Sequence, residues 1–498
     1  MARIVQIELR DFKNIQYGKI DFAKSKPGLD NVSGADIVGI YGQNGSGKTS
    51  VIEALSLLKS LFIGASYDSA MVLDFFYPGK DTFSLAVTFL LNTKLADEFT
   101  ALQLVSYEVS FSRRAEVVWI SYERLTCKEF VSDTKKFAPQ KTLFEFSQDS
   151  PDSASILCPK GDWGHLLKVD QQLKMSTFVS FGVQQKEHTS LLFSEALLKR
   201  FLSLASCNFD LYKLEETSRR PNTNYDVLER QSAPFKSAKK KTLDPLILII
   251  CDLNYYFRYR VNVFSTLVNA TCSLNILSMD IPDKQSFMKK GHLSVNLFEP
   301  ALLPEDVYDD VHLALERVSR LMGALVPGFS IVMRELGSQL LDDGDTLAER
   351  VEFMSSREGV EIPLRCESEG VRKLISLSLC LMEVHSYRDS FLAIDELDSG
   401  VFEYLLGEIL SVIDSFGKGQ LLFTAHNLRV LELLPTSDIV FTTSDPANRF
   451  IRFKGLKPSN NLRDQYLRSV SLGGGDAELY VPTDKFSIDD ALCLDGEG

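Results

Sequence analysis

Hydrophobic and polar residues alternate with a period of two at the start of the chain. Residues 4–9 and 18–22 follow this pattern, which predicts strands with one buried face. Residues 36–41 are mostly apolar instead, and they predict a strand buried on both faces. Apolar residues then recur at helical spacing from residue 51 to residue 62. A glycine-rich segment separates these last two elements.

The pattern changes several times along the rest of the chain. Further strands are predicted at residues 83–91, 104–111 and 117–125. The helical period then dominates, and its best segments are residues 191–204, 246–268 and 308–325. Strands return at residues 329–336, 351–354, 362–365, 391–394, 420–423, 439–442 and 450–453.

These periods predict an α/β protein with four regions. We expect an N-terminal lobe over residues 1–147, a mainly helical insertion over 148–344, a C-terminal lobe over 345–455 and an appendix over 456–498. The polar stretch 217–241 has little periodicity and is predicted to be a loop.

The glycine-rich segment fits the pattern G-x-x-x-x-G-K-[ST]. Its residues are Gly42, Gln43, Asn44, Gly45, Ser46, Gly47, Lys48 and Thr49, with Ser50 following. The glycines let successive backbone N–H groups point at phosphate oxygens, and the helix behind them adds the positive end of its dipole. Lys48 would neutralise phosphate charge, and the Thr49 hydroxyl would bind Mg²⁺. The strand before and the amphipathic helix after this loop favour phosphate binding over an ordinary glycine turn.

Two later apolar strands end in residues suited to ATP hydrolysis. Asp395 and Glu396 follow residues 391–394, and His426 follows residues 421–425. Asp395 would hold Mg²⁺ through water, and Glu396 would polarise the attacking water. We expect His426 to reach the γ-phosphate. The plainer interpretations are solvated acids at a strand end and a structural histidine, and the P-loop favours the functional ones.

A further helix begins near residue 368. Ser368 is a predicted N-cap, and the plain interpretation is a capped helix and nothing more. The functional alternative is that Ser368, Glu369 and Gly370 present N–H groups and a hydroxyl to the γ-phosphate bound by another subunit.

The order of these motifs resembles ABC-type ATPases of the SMC/RecF/OLD-like group of AAA family ATPases. Residues 7–15 and 39–50 resemble that group's N-terminal strand and P-loop. Residues 367–370 resemble its signature, residues 397–400 its D-loop with Asp398, and His426 its switch histidine. The resemblance covers residues 1–125 and 345–455.

The resemblance implies a fold and a chemistry. The fold is an α/β P-loop NTPase head of ABC type, with a mixed central sheet, an antiparallel β lobe and a largely helical insertion. The cofactors are ATP and Mg²⁺, with Thr49 and Asp395 at the metal and Lys48, Glu396 and His426 as the catalytic residues. The signature residues and Asp398 would complete a nucleotide site shared between subunits of a homodimer or higher oligomer.

The chain also departs from the group's pattern. No glutamine after the first helix matches the Q-loop, and the insertion lacks the long coiled coil of chromosome-structuring members.

Compact ATPases of this type resemble subunits of bacterial phage-defence systems such as PARIS, Septu and some retrons. We therefore expect a sensor or scaffold that controls a separate nuclease or toxin, since the residues after Phe453 leave no room for a nuclease domain.

Charge and cysteine usage narrow the alternatives. The net charge is −13, so the chain as a whole does not attract DNA or anionic lipid. The absence of C-x-x-C spacing and of a long apolar run predicts a cytoplasmic protein with free thiols and no membrane partner.

A DNA-repair ATPase of the RecF kind, which binds nucleic acid directly, stays open as the alternative. Its candidate contact is a basic stretch whose plainer interpretation is a solvated loop: Arg219, Arg220, Arg230, Lys236, Lys239, Lys240 and Lys241. A small-molecule kinase is disfavoured, because strands ending in Asp-Glu and His suit hydrolysis.

Overall fold

The computed structural model describes residues 1–25, 34–94, 100–131, 134, 136–151, 156–204, 239–265, 276–282, 290–340, 347–453, 462–472, 478–479 and 485–492. Within them the strands are β1 (Ala2–Phe12), β2 (Ile15–Asp21), β3 (Asp36–Tyr41), β4 (Thr82–Lys94), β5 (Thr100–Arg114), β6 (Val117–Val131), β7 (Lys136–Phe137), β8 (Lys141–Ser147), β9 (Ile156–Cys158), β10 (Val261–Phe264), β11 (Ile276–Pro282), β12 (Lys290–Asn296), β13 (Ala301–Pro304), β14 (Phe329–Leu340), β15 (Leu347–Arg357), β16 (Val360–Pro363), β17 (Phe391–Ile394), β18 (Gln420–Thr424), β19 (Ile439–Thr442) and β20 (Phe450–Ile451).

The helices of the same residues are α1 (Lys48–Phe62), α2 (Ser69–Leu73), α3 (Lys160–Val169), α4 (Gln171–Glu187), α5 (Glu195–Leu204), α6 (Asp244–Tyr259), α7 (Glu305–Leu325), α8 (Glu369–Ser386), α9 (Glu403–Phe416), α10 (Val430–Leu433), α11 (Leu462–Leu472) and α12 (Lys485–Leu492).

A mixed central sheet carries the strands that precede the predicted motifs. Its order is β10-β17-β18-β3-β19-β20, and all neighbours are parallel except β19 and β20. The P-loop strand β3 lies between β18 and β19, and the acidic strand β17 lies beyond β18. The carboxyl ends of these parallel strands therefore share one edge, where open α/β sheets bind ligands.

A second, antiparallel sheet packs over α1. Its order is β2-β1-β4-β5-β6-β8-β9, with β7 paired to β6. Smaller antiparallel sheets join β11 to β12, and β13, β14 and β16 to β15. The predicted combination of a mixed central sheet and an antiparallel β lobe is confirmed.

The central sheet is buried on both faces, as predicted for β3. Val38 and Ile40 of β3 belong to one core with α1 and the antiparallel sheet. Ile37 and Tyr41 point to the other face and belong to a second core with α7, α8 and α9. This alternation follows from the period of two along a strand, and it holds the P-loop strand between two hydrophobic layers.

The insertion differs in detail from its prediction. Helices make up most of its described regular structure, but the helix predicted over residues 246–268 ends at Tyr259. Val261–Phe264 then forms β10, which pairs with Phe391–Ile394 at the edge of the central sheet. An apolar run of this length is compatible with a helix or a strand. The strand forms here because Val261 and Val263 are β-branched and because the edge of the central sheet is free to pair with them.

Smaller boundary differences have local causes. The helix predicted from residue 191 begins at Glu195, because Ser190–Ser194 forms a turn. The strand predicted at 362–365 ends at Pro363, which has no N–H to donate. Residues 217–238 of the predicted loop, and with them Arg219, Arg220, Arg230 and Lys236, lie outside the described residues.

The cysteines in the described part of the chain are free thiols. None of the helices seen in that part combines the length and hydrophobicity that crossing a bilayer requires.

A buried glutamine side chain helps to join the two main sheets. Gln420, the first residue of β18, accepts a hydrogen bond from the Ile4 N–H of β1 at 2.8 Å and donates one to the Ile4 carbonyl at 2.7 Å. Its amide thus pairs with the edge of β1 as a peptide group of another strand would, and Gln420 is fully buried.

We expect Gln420→Leu to lower the free energy of unfolding by about 2–4 kcal/mol, since each buried group left unpaired costs about 1–3 kcal/mol. Thermal unfolding measures the change, with the exposed Gln339→Leu as the control. An unchanged melting temperature in Gln420→Leu would show that the two sheets do not depend on this amide.

Candidate ATP-binding site

Close packing shapes the loop between β3 and α1. A Cβ on Gly42 would lie 1.6 Å from Thr442 Oγ1, so no other residue fits there. Gly47 has a φ of 91° and caps α1 without a side-chain hydrogen bond, which leaves the first N–H groups of the helix for a ligand. Thr442 also donates to Ser46 Oγ at 2.6 Å. These features leave the start of α1 open to a phosphate, as the predicted role of the loop requires.

Lys48 lies over the loop that it is predicted to serve. Its Nζ donates to the carbonyls of Gly42 at 2.8 Å and Gln43 at 3.0 Å, and the side chain is buried. Burial lowers the pKa of Lys48, and the carboxylates of Asp395, Glu396 and Asp398 oppose that shift. The ammonium therefore stands where a phosphate can take over its hydrogen bonds.

The β1–β2 turn braces the loop from the side. Asn14 Nδ2 donates to the Gly45 carbonyl, and Arg449 donates to the Asn14 carbonyl at 2.6 Å. Lys13 forms an ion pair with the buried Glu53 of α1 at 2.7 Å.

Asn14 and Thr442 were not predicted as site residues. The signal that could have found Thr442 is its place at the end of an apolar strand, like Thr424.

The two predicted metal ligands meet although they lie far apart in sequence. Thr49 Oγ1 is 3.3 Å from Asp395 Oδ1. Asp395 is buried and also accepts a 2.5 Å hydrogen bond from Thr424 Oγ1. Mg²⁺ prefers hydroxyl, carboxylate and water oxygens, so this donor set fits the ion.

Glu396 stands beside this pair with an unusual backbone. Its φ is 49°, in the left-handed region that non-glycine residues rarely occupy. Its N–H donates to Thr424 Oγ1 at 2.7 Å, and its side chain is exposed at the sheet edge. Strain of this kind persists where surrounding contacts hold it, and it occurs often at functional sites. Thr424, which sequence reasoning missed, thus holds both acidic residues.

Asp398 organises the turn that carries His426. Its Oδ2 accepts hydrogen bonds from the N–H groups of His426 at 2.8 Å and Asn427 at 2.7 Å. The His426 side chain is exposed at the carboxyl end of β18. This position is compatible with the predicted contact to a γ-phosphate, and the roles of both residues toward the nucleotide stay predictions.

The signature-like residues pack on the same turn of their own chain. Ser368 caps α8 and accepts a hydrogen bond from the Val371 N–H at 3.4 Å. A Cβ on Gly370 would lie 1.9 Å from the Gly400 carbonyl oxygen, so the helix start touches the D-loop-like turn. Ser368 and Glu369 are exposed there, and a shared site stays a prediction.

One family matches part of the chain. Residues 37–148, which hold β3, the P-loop and α1, match the family described as AAA domain, putative AbiEii toxin, Type IV TA system. The prediction of an α/β P-loop ATPase fold is confirmed. No curated protein matches the sequence.

Solved structures of Smc head domains are distantly similar. The Smc head with an extended coiled coil bound to the C-terminal domain of ScpA, from Pyrococcus furiosus, is 12% identical with a TM-score of 0.39, over 91% of this chain and 96% of that one. The Smc head with a coiled coil and joint from Pyrococcus yayanosii is 12% identical with a TM-score of 0.40, over 94% and 99%.

We expect Lys48→Ala to weaken ATP binding by about 10- to 150-fold, because a charge-assisted hydrogen bond contributes roughly 1.5–3 kcal/mol. Titration calorimetry of the purified protein measures the affinity, and the exposed Lys80→Ala is the control of equal charge change. Equal affinity in wild type and Lys48→Ala would remove this loop from nucleotide binding.

Proposed function

We propose that this chain binds and hydrolyses ATP with Mg²⁺ and uses that cycle to control a separate effector protein, a nuclease or toxin, in bacterial antiphage defence. The observation that carries the ATPase part is the meeting of Thr49 with Asp395, with Glu396 beside them. The phosphate-binding loop follows β3, and both acids follow β17. The two strands end at the same edge of one sheet, which is how hydrolytic P-loop sites are assembled.

Each element of the edge has a separate task. The N–H groups of the loop and the α1 N-terminus bind the phosphates, and Lys48 supplies their counter-charge. Thr49 and Asp395 would hold Mg²⁺, which neutralises charge on the phosphate oxygens. Thr424 keeps Asp395 and the Glu396 backbone in place. The Glu396 carboxylate, which is exposed at the edge, would then orient and deprotonate the attacking water.

The effector part rests on the family match. The family that matches residues 37–148 is described by a toxin and a type IV toxin–antitoxin system. The catalytic edge accounts for ATP turnover and supplies no toxic chemistry of its own. A regulator that hydrolyses ATP, with a partner that carries the toxic activity, would fit both observations.

We further propose that two copies share each ATP site. Ser368 and Glu369 are exposed at the start of α8, where free N–H groups and a hydroxyl suit a phosphate bound by another chain. A two-fold homodimer with two equivalent sites is the simplest closed arrangement.

Glu396→Gln keeps the size of the side chain and removes the proposed base. ATP should still bind, while the rate of hydrolysis falls by about 10²- to 10⁴-fold. Phosphate release under single-turnover and steady-state conditions measures this, with the exposed Glu408→Gln of α9 as the control. Hydrolysis at the wild-type rate would exclude Glu396 from the reaction.

The same variant tests effector control. Cells that carry the gene together with its neighbouring genes should resist phage infection, and Glu396→Gln should change that resistance or the toxicity of the partner. Resistance that does not depend on the chain would contradict the defence role. DNA binding by the purified chain alone, with an affinity that falls steeply with salt, would support the RecF-like alternative instead.

The shared site predicts complementation between two inactive variants. Lys48→Ala and Ser368→Arg chains should each lack ATPase activity, and a mixed dimer should regain one intact site and about half of the activity. Mixing two preparations of Lys48→Ala is the control. Full ATPase activity in a strictly monomeric wild-type protein, checked by light scattering, would refute the shared site.

A further inference from the structure

A buried lysine connects the signature-like helix to the catalytic turn. Lys373 lies on α8, one turn after its start, and its side chain is buried. Its Nζ donates to the backbone carbonyls of Glu396 at 2.5 Å and Ser399 at 3.1 Å. Burial lowers the pKa of Lys373, and Asp398, Glu396, Glu369 and Asp395 oppose that shift.

This contact completes the support of the Glu396 peptide. Thr424 binds the Glu396 N–H, and Lys373 binds its carbonyl. The left-handed φ of 49° at Glu396 is unfavourable for a side chain with a Cβ. A backbone of this kind keeps its conformation only while neighbouring groups hold it, so the direction of the Glu396 carboxylate depends on both the Thr424 acceptor and the Lys373 donor.

The helix that carries Lys373 also carries the residues proposed to meet a second chain. Ser368 caps α8, and Gly370 lies against Gly400 with room for no Cβ. The Arg372 N–H donates to the Ser368 carbonyl at 3.0 Å, so the cap and the residue before Lys373 belong to one helical turn. A shift at the start of α8 would therefore move the ammonium and with it the Glu396 carbonyl.

We infer that Lys373 is a positioning residue that couples the start of α8 to the Glu396 peptide, so that ATP hydrolysis responds to the contact of a second copy of this chain with residues 368–370. This inference rests on the proposed ATPase function. It assigns to α8 a role in turnover within its own chain, in addition to the proposed contact with the other chain.

The test compares Lys373→Met with a matched control. The methionine keeps most of the side-chain length and removes the donor, so kcat should fall by about 10- to 100-fold, the size expected when a catalytic group is misplaced by about 1 Å. ATP affinity should not change, since Lys48 and the loop are untouched. Lys59→Met is the control, because Lys59 of α1 is another lysine that donates to a backbone carbonyl, that of Val261 at 2.7 Å. Lys59→Met should keep the wild-type kcat even where it lowers stability.

Two further variants separate positioning from general damage. Lys373→Arg retains a charged donor and should recover part of the lost kcat. In the Glu396→Gln background, Lys373→Met should cause little additional loss, because both changes act through the same carboxylate. Wild-type kcat in folded Lys373→Met, or a full additional loss in the double variant, would overturn the inference. Should Lys373→Met not fold, Lys373→Gln replaces it with the same expected fall in kcat and the same overturning result.

The outcomes also distinguish this inference from the proposed function. A wild-type protein without ATPase activity would refute the function itself. ATPase activity that depends on Glu396 but is indifferent to Lys373 would refute the coupling and leave the function standing.

Discussion

The hydroxyl of Thr424 is the contact on which the arrangement of the candidate ATP site depends. It donates to the Asp395 carboxylate and accepts from the Glu396 N–H, and so it fixes the two acids with respect to each other. Strand β18 provides this hydroxyl because it lies between the P-loop strand and the acidic strand. Without that strand order, Thr49 and Asp395 would not stand 3.3 Å apart.

The position of this edge depends in turn on the two hydrophobic cores. Helix α1 packs between the central and antiparallel sheets, so the loop that precedes it cannot move independently of either sheet. Gln420 and the β1–β2 turn add polar connections across the same boundary. Close packing of this kind constrains the loop before any ligand arrives, which would reduce the ordering that nucleotide binding requires.

A chain of polar contacts extends from the edge to α8. It runs from Thr424 through the strained Glu396 peptide to Lys373, and from Asp398 to the turn with His426. Buried polar networks are sensitive to the loss of any member, because each group then loses a partner that water cannot replace. Such a network suits a protein whose turnover responds to a contact at its surface.

The sequence alone determined the elements with strong local signals. The P-loop, the fully buried β3, the helix behind it and the strand before Asp395 all follow from glycine chemistry and from the spacing of apolar residues. Local signals suffice there because the loop conformation and the burial of each strand are set by neighbouring residues.

Tertiary structure alone decided how those elements meet. Residues 261–264 fit the continuation of a helix as well as a strand, and only pairing with Phe391–Ile394 makes them β10. The tasks of Thr424, Gln420 and Lys373 are equally invisible in sequence. Each is a polar residue whose partner lies on a strand or turn that only the assembled sheets bring near. Long-range pairing of buried polar groups has no local period, and for that reason it cannot be derived from one sequence.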